Sequence, residues 1–292
     1  MTTRRFVQLD VFAPRPGTGN PLAVVLDADG LDDAAMQAIA RWTRLPETTF
    51  IFAPTEAAAS YRVRMFSPQH EVPFAGHPSV GSAHAVLDAG LAHARDGVLL
   101  QEGIAGTLPL QVHGEGAQRR IAIRTPRAAV AEIVLPDDAR LAPAISGWAL
   151  GEQPPALMDG GRRWWVVELA DEAGLRALQP DWDAIAALAE STGAMGVFAY
   201  AKAATSGDYE LAVRAFVGNG RRFEDAASGA ANAVLAAWLD SRDALPLGRR
   251  RYRVSQGREV GHDALLELTV DEAGDVWSGG QVQTVIEGSL RW

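Results

Sequence analysis

A chain of 292 residues, 48% hydrophobic and 22% charged, has the composition of a globular protein long enough for two domains with separate cores. A net charge of −9 argues against a nucleic-acid surface, and the absence of cysteine excludes disulfides, thiolate metal sites and cysteine nucleophiles. No run reaches the ~18 apolar residues of a membrane span, and the N-terminus alternates like a strand where a signal peptide would be apolar, so the expectation is a cytoplasmic enzyme or binding protein.

Residues 6–12 alternate at period two and predict a strand, followed by a turn-rich loop and an apolar strand over 22–26. Asp32 or Asp33 can cap a helix reaching about Thr43, with Met36, Ile39, Ala40 and Trp42 as its apolar positions. Residues 48–52 and 61–66 are β-prone. Ser79 is the expected N-cap of a helix that closes at Gly90. Residues 108–112 and 120–124 read as a strand pair joined through Gly114-Glu115-Gly116, and the proline-containing stretch 126–143 as the crossover between domains 1–127 and 128–292. Beyond it the pattern predicts a helix over about 141–150, then a strand over 163–169 with Trp164 and Trp165 in the core. A helix over 182–191, strands over 197–200 and 211–216, and a helix over 228–239 follow. The end is β-rich, with strands over 252–255, 265–270, 276–278 and 281–286. Hairpin links outnumber βαβ spacings, so the class is α+β.

Two stretches look like copies of one another. Val63-Arg64-Met65-Phe66 and residues 76–87 match Val213-Arg214-Ala215-Phe216 and residues 225–235. Superposing Gly81 on Gly229 gives an offset of 229 − 81 = 148, and Gly, Ala, Ala, Val and Leu recur at 81/229, 83/231, 85/233, 86/234 and 87/235. A period close to half the chain points to a duplicated domain rather than a solenoid. Each copy holds a strand, a polar loop and an Ala-rich helix opened by small residues; if the halves face each other, two helix N-termini suit an anionic ligand in one cleft.

The residues with chemistry sit in these loops. His77 precedes a helix start in one copy, and Asp225 stands three residues before Ser228 in the other, where they can bond a substrate or assist proton movement. Local context alone equally allows His77 to bond a neighbouring carbonyl and Asp225 to be a helix-start acid. Glu47 follows Pro46 just ahead of an apolar strand, a setting that raises a carboxyl pKa toward the range of a general acid–base, and is also an ordinary strand-edge position. Gly17-x-Gly19 runs into Asn20-Pro21 and is no dinucleotide fingerprint; Gly76-x-x-x-x-Gly81 lacks the P-loop lysine. His70, His77 and His84 recur at intervals of seven, but Pro78 and the loop before it break any common helical face, so no metal site is expected. The run Arg249-Arg250-Arg251-Tyr252-Arg253 reads as a solvated turn.

Gly19-Asn20-Pro21-Leu22-Ala23-Val24-Val25, Pro46-Glu47-Thr48-Thr49-Phe50, Glu71-Val72-Pro73-Phe74-Ala75-Gly76-His77-Pro78 and Glu224-Asp225-Ala226-Ala227-Ser228-Gly229 together resemble the PhzF family of phenazine-biosynthesis-like isomerases. Order and spacing match along nearly the whole chain, to Gly279-Gly280. The resemblance implies a diaminopimelate-epimerase-like fold of two pseudo-symmetric α+β domains, each a curled, mostly antiparallel sheet around a central helix, with the active site between them. It also implies proton transfer without a cofactor, and a homodimer. In the phenazine enzyme the reaction isomerises a dihydro-hydroxyanthranilate; the glutamate matching Glu47 moves a proton between carbons, and the residues matching His77 and Asp225 position the substrate and relay protons.

The sequence departs from the family pattern Asp-Pro-Ala-Thr-Gly-Ser at Ala226, Ser228 and Ala230. The serine replaced by Ala230 would bond the substrate carboxylate, a loss of roughly 1–3 kcal/mol if unreplaced. After Gln256-Gly257 the chain reads Arg-Glu-Val-Gly-His-Asp in place of Gly-Arg-Pro-Ser. The expectation is therefore an isomerase acting on a small carboxylate-bearing metabolite, for which the phenazine precursor is no safe guess. Glu47, His77 and Asp225 are its catalytic residues, and Gly76, Ser228, Gly229 and Ala230 its substrate-binding positions, with the amides of Gly76, Gly229 and Ala230 holding anionic oxygens. Two other readings remain open: an epimerase or racemase working without cysteines, and a metabolite-binding protein that has lost its chemistry.

Overall fold

In the computed structural model, which describes residues 1–204 and 207–292, the chain divides into two compact units, Met1–Arg124 with Gly279–Trp292, and Thr125–Ser278. The first unit opens with β1 (Thr3–Val11), β2 (Asn20–Val25), α1 (Asp33–Thr43), β3 (Glu47–Phe52), β4 (Tyr61–Phe66) and β5 (Glu71–Val72). It continues with α2 (Gly76–Asp88), β6 (Val98–Gly103), β7 (Gly106–His113) and β8 (Arg120–Arg124). The second unit holds β9 (Ala129–Ile133), β10 (Ala156–Asp159), β11 (Arg163–Glu168), α3 (Glu172–Ala177), α4 (Trp182–Thr192), β12 (Ala194–Lys202) and β13 (Leu211–Val217). After these come β14 (Phe223–Asp225), α5 (Gly229–Ser241), β15 (Arg251–Gln256), β16 (Ala264–Val270) and β17 (Val276–Gly280), within which the chain leaves the second unit after Ser278. The last strand, β18 (Val282–Arg291), returns to the first unit and pairs with β1 along its whole length. This departs from the division expected at residues 127/128, which places the strand in the second half.

The internal repeat is written in the strand pairings. In the first unit the order is β18-β1-β2-β3-β4-β6-β7-β8, parallel only at β2/β3 and β4/β6. In the second it is β9-β10-β11-β12-β13-β15-β16, parallel only at β11/β12 and β13/β15. Each parallel step is crossed by helix: α1 or α3–α4 at the first, α2 or α5 at the second. The short strands β5 and β14 hang antiparallel on β4 and β13. The fold is therefore α+β with mostly antiparallel sheet.

Helices α2 and α5 are the central ones. Every residue from Gly76 to Val86 is buried, as are Gly229 and Ala231–Ala236, because small side chains on all faces let sheet close around the helix. Gly81 is required for this closeness: a Cβ there would lie 2.4 Å from Leu22 Cδ2 and 2.9 Å from Val11 Cγ2. The peripheral helices are amphipathic. α1, capped by Asp32, lays Met36, Ile39 and Ala40 on Val25, Phe50, Phe52 and Phe66. In the second unit Trp165 joins Ile185, Leu188 and Phe216 in the core, with Trp148 and Trp182 edge-on to the Phe216 ring at 6.0 Å.

Four local expectations are corrected. α2 begins at Gly76 rather than after Ser79, which lies in its first turn; Gly90 (φ +65°) follows a C-cap at Ala89. Residues 141–147 form successive turns rather than a helix, and Leu150 makes an antiparallel bridge to Leu169. Ala144 N–H bonds Leu141 C=O and Trp148 N–H bonds Ile145 C=O, three residues back, and Gly147 at φ +78° breaks any continuation. The crossover stretch contains β9, whose largely exposed residues give no alternation to read. The arginine run is a turn only at its start, since Arg251 opens β15 and bonds Glu267 on β16.

Candidate active site

Glu47 begins β3, where α1 has ended on a left-handed Arg44 (φ +57°) and the chain re-enters the sheet parallel to β2, with Glu47 opposite Leu22. Its side chain is 20% exposed, at the boundary between the buried strand and the surface. The start of α2 lies against it. Ala75 is the extended N-cap residue and supplies no side-chain cap, and Ser79 donates its hydroxyl back to the Ala75 carbonyl at 2.9 Å. A buried helix start with no side-chain cap presents its first amides, those of Gly76 and His77, to whatever anion approaches.

His77 Nε2 stands 3.4 Å from Glu47 Oε2. Burial pushes the imidazole well below its usual value, to about 3, with the Pro21 carbonyl opposing. The ring is therefore neutral at neutral pH. Nε2 is buried and makes no hydrogen bond, so the bond to Pro21 uses Nδ1. A neutral ring donating from Nδ1 keeps a lone pair on Nε2, and a proton between Nε2 and Glu47 belongs to the carboxyl or to a substrate. The Pro21 carbonyl is itself placed by a fixed turn: Asp10, 4% exposed, accepts the N–H groups of Thr18 (2.8 Å) and Gly19 (3.0 Å). Gly19 passes so close to β1 that a Cβ would lie 2.2 Å from Val11 O.

The second unit repeats the frame with different chemistry. On β13 Arg214 reaches across to Glu224 on β14 through two bonds, 3.0 and 2.8 Å, as Arg64 on β4 does to Glu71 on β5 at 2.6 and 2.7 Å. Each arginine also covers a phenylalanine two residues on, Phe216 at 4.8 Å and Phe66 at 5.2 Å. Asp225 ends β14, and its Oδ1 accepts the Ala227 N–H at 3.3 Å. Ser228 caps α5, its Oγ accepting from Ala231 N–H at 3.3 Å; Gly229 is buried in the first turn and Ala230 half-buried.

Glu47, Gly76 and His77 thus meet in the first unit, and Asp225, Ser228, Gly229 and Ala230 in the second. Two side chains beside Asp225 were not foreseen as site residues. Gln256 is fully buried and bonds the Asp225 carbonyl, the Ser228 amide and Asn232. The only signal for Gln256 is its place at the head of the segment that departs from the family pattern; Asn232 gives none. The three histidines do not gather. His70 is exposed, His84 bonds Asp88 (2.9 Å) and Thr284 (3.1 Å), and among the described residues no group of His, Asp and Glu forms a metal-binding cluster. Among them too, no helix is long and apolar enough to cross a membrane.

Duplicated, mostly antiparallel sheets wrapped on buried helices make this an α+β protein with a diaminopimelate-epimerase-like fold. More narrowly, the chain belongs to the phenazine biosynthesis-like (PhzC-PhzF) family, whose sequence model matches residues 9–288. It is 30% identical to antisense-enhancing sequence 1 of Schizosaccharomyces pombe, over 99% of both chains. It is also 30% identical to a trans-2,3-dihydro-3-hydroxyanthranilate isomerase of Pseudomonas aeruginosa, over 95% of this chain and 94% of that one. The crystal structure of a Bacillus anthracis phenazine biosynthesis protein of the PhzF family superposes over 100% of both chains with a TM-score of 0.80 at 24% identity.

Proposed function

We propose that the protein is an isomerase that moves a proton between carbons of a small carboxylate-bearing metabolite by acid–base catalysis. The observation that carries this is the pair at the head of α2, His77 Nε2 at 3.4 Å from Glu47 Oε2, beside amides that no side chain caps. Glu47 takes the proton from one carbon and returns it to another. His77, neutral through burial, accepts a hydrogen bond at Nε2 without competing for charge and so keeps the proton with the carboxyl or the substrate. The amide of Gly76 holds an anionic oxygen. Asp225 and the Ser228–Ala230 segment enter on the strength of their motif: Asp225 orients the substrate, and the Gly229 and Ala230 amides take the role that a serine hydroxyl at 230 would share. The step requires no cofactor, and the family resemblance makes a homodimer the expected assembly. The isomerase names carried by full-length relatives support the reaction class.

Interconversion followed by NMR over a panel of cyclic and linear carboxylates tests this, with wild type, Glu47→Gln, His77→Gln and Asp225→Asn compared on any substrate found. The reading requires Glu47→Gln to lose turnover by about 100-fold or more, with an unchanged circular dichroism spectrum. Retained turnover in that variant contradicts it.

A further inference from the structure

Gln256 ends β15 with none of its surface exposed, and its three side-chain hydrogen bonds all go to the segment that carries Asp225. Nε2 donates to the Asp225 carbonyl at 2.8 Å, while Oε1 accepts the Ser228 N–H at 3.1 Å and Asn232 Nδ2 at 2.9 Å. Asn232 also donates to the Ser228 carbonyl at 2.9 Å. One amide group therefore spans the loop from its first residue to the helix cap, and sets the distance between them. The next residue closes on the middle of the same loop: at Gly257 (φ +93°) a Cβ would lie 2.4 Å from Ala226 O.

The strand end that carries Gln256 is itself braced. Arg176 donates to Ser255 Oγ on one side (2.9 Å) and to Glu259 on the other (3.2 Å), gripping the chain both before and after Gln256. Glu172 holds Arg176 at 3.1 Å and also accepts Tyr209 OH (2.7 Å) and the Ala204 N–H (2.9 Å). Glu259 lies in the stretch where the sequence departs from the family pattern, so this chain secures its loop through charges of its own.

We propose that Gln256 is the positioning residue of the Asp225 loop, fixing the Asp225 backbone and the amides that open α5, with Arg176 as its brace. The consequence for turnover rests on the isomerase reading, whereas the consequence for the loop stands on geometry alone. The experiment compares wild type with Gln256→Met, which keeps the length of the side chain and removes all three bonds. Amide hydrogen exchange over residues 226–231 should quicken by about tenfold or more, with the rest of the second unit unchanged, and kcat should fall by a similar factor with a smaller change in KM. Should this variant not fold, Gln256→Glu, which keeps both acceptor contacts and loses the donor to Asp225, carries the same comparison. Unchanged exchange in the loop overturns the proposal, as does a loosened loop with unaltered kcat. If wild type turns over no carboxylate, the isomerase reading falls, and the amide exchange still decides whether Gln256 holds the loop.

Discussion

His77 has lost its charge to burial, and this has a measurable consequence for stability. Its folded value of about 3 lies below the ordinary 6.5, so between these values the unfolded chain binds the proton that the folded chain refuses. Folding stability attributable to this residue is intact above the ordinary value and is lost as pH falls toward the folded one. Replacing His77 by Gln should remove that acid-side loss. The difference in unfolding free energy between wild type and variant, flat above neutrality, should grow by at most about 3 kcal/mol near pH 4. Urea titrations at several pH values would show it; parallel curves at all pH values would mean that the imidazole is not held neutral.

At the scale of elements, the two copies of the Arg–acid clamp differ in environment and should differ in energy. Arg214 and Glu224 are 4% and 5% exposed, and Arg214 also serves the carbonyls of Leu175 and Leu178; Arg64 and Glu71 are 23% and 24% exposed, with Asp33 as a third partner. Truncating Glu224 to Ala leaves the buried guanidinium with only the more distant Glu259, at 3.9 Å, as a carboxylate partner and should cost about 3 kcal/mol. The same change at Glu71 should cost about 1 kcal/mol or less. Equal costs in thermal or urea unfolding would contradict the burial argument. Element legibility followed the same divide between local and distant causes. Asp32 announced α1 because its cap is local, and the alternation of residues 6–12 announced β1. The start of α2 was misplaced because the residue with capping chemistry, Ser79, turns its hydroxyl back to Ala75, leaving a helix start that no side chain marks. Gln256 gives little sign of itself as a site residue because its partners lie 24 to 31 residues away in sequence, and Asn232 because the bond that ties it to β15 spans 24 residues.

Across the whole molecule, the duplication read from the 148-residue offset reappears as one pattern of parallel and antiparallel pairings in both units, which composition alone does not reveal. Unforeseen was the return of the C-terminal strand. β18 pairs with β1 from Arg291 opposite Thr3 to Val282 opposite Val11, and Ala13 N–H bonds Gln281 C=O. A hydrophobic pattern marks a strand without naming its neighbour, so this pairing was not legible. Deleting residues 281–292 should therefore destabilise the first unit selectively: amide protection over 3–124 should collapse under conditions where 125–278 remains protected. Protection lost from both units together would contradict the division.

In the proposed reaction Glu47 carries a proton to and from carbon. Solvent deuterium incorporation measured by mass spectrometry tests it most directly, with wild type and Glu47→Gln incubated in D₂O with a carboxylate panel. Carbon-bound deuterium is expected in at least one carboxylate with wild type, at a rate lower by about 100-fold or more with Glu47→Gln. Exchange at equal rates in the two proteins, or in neither, would contradict it.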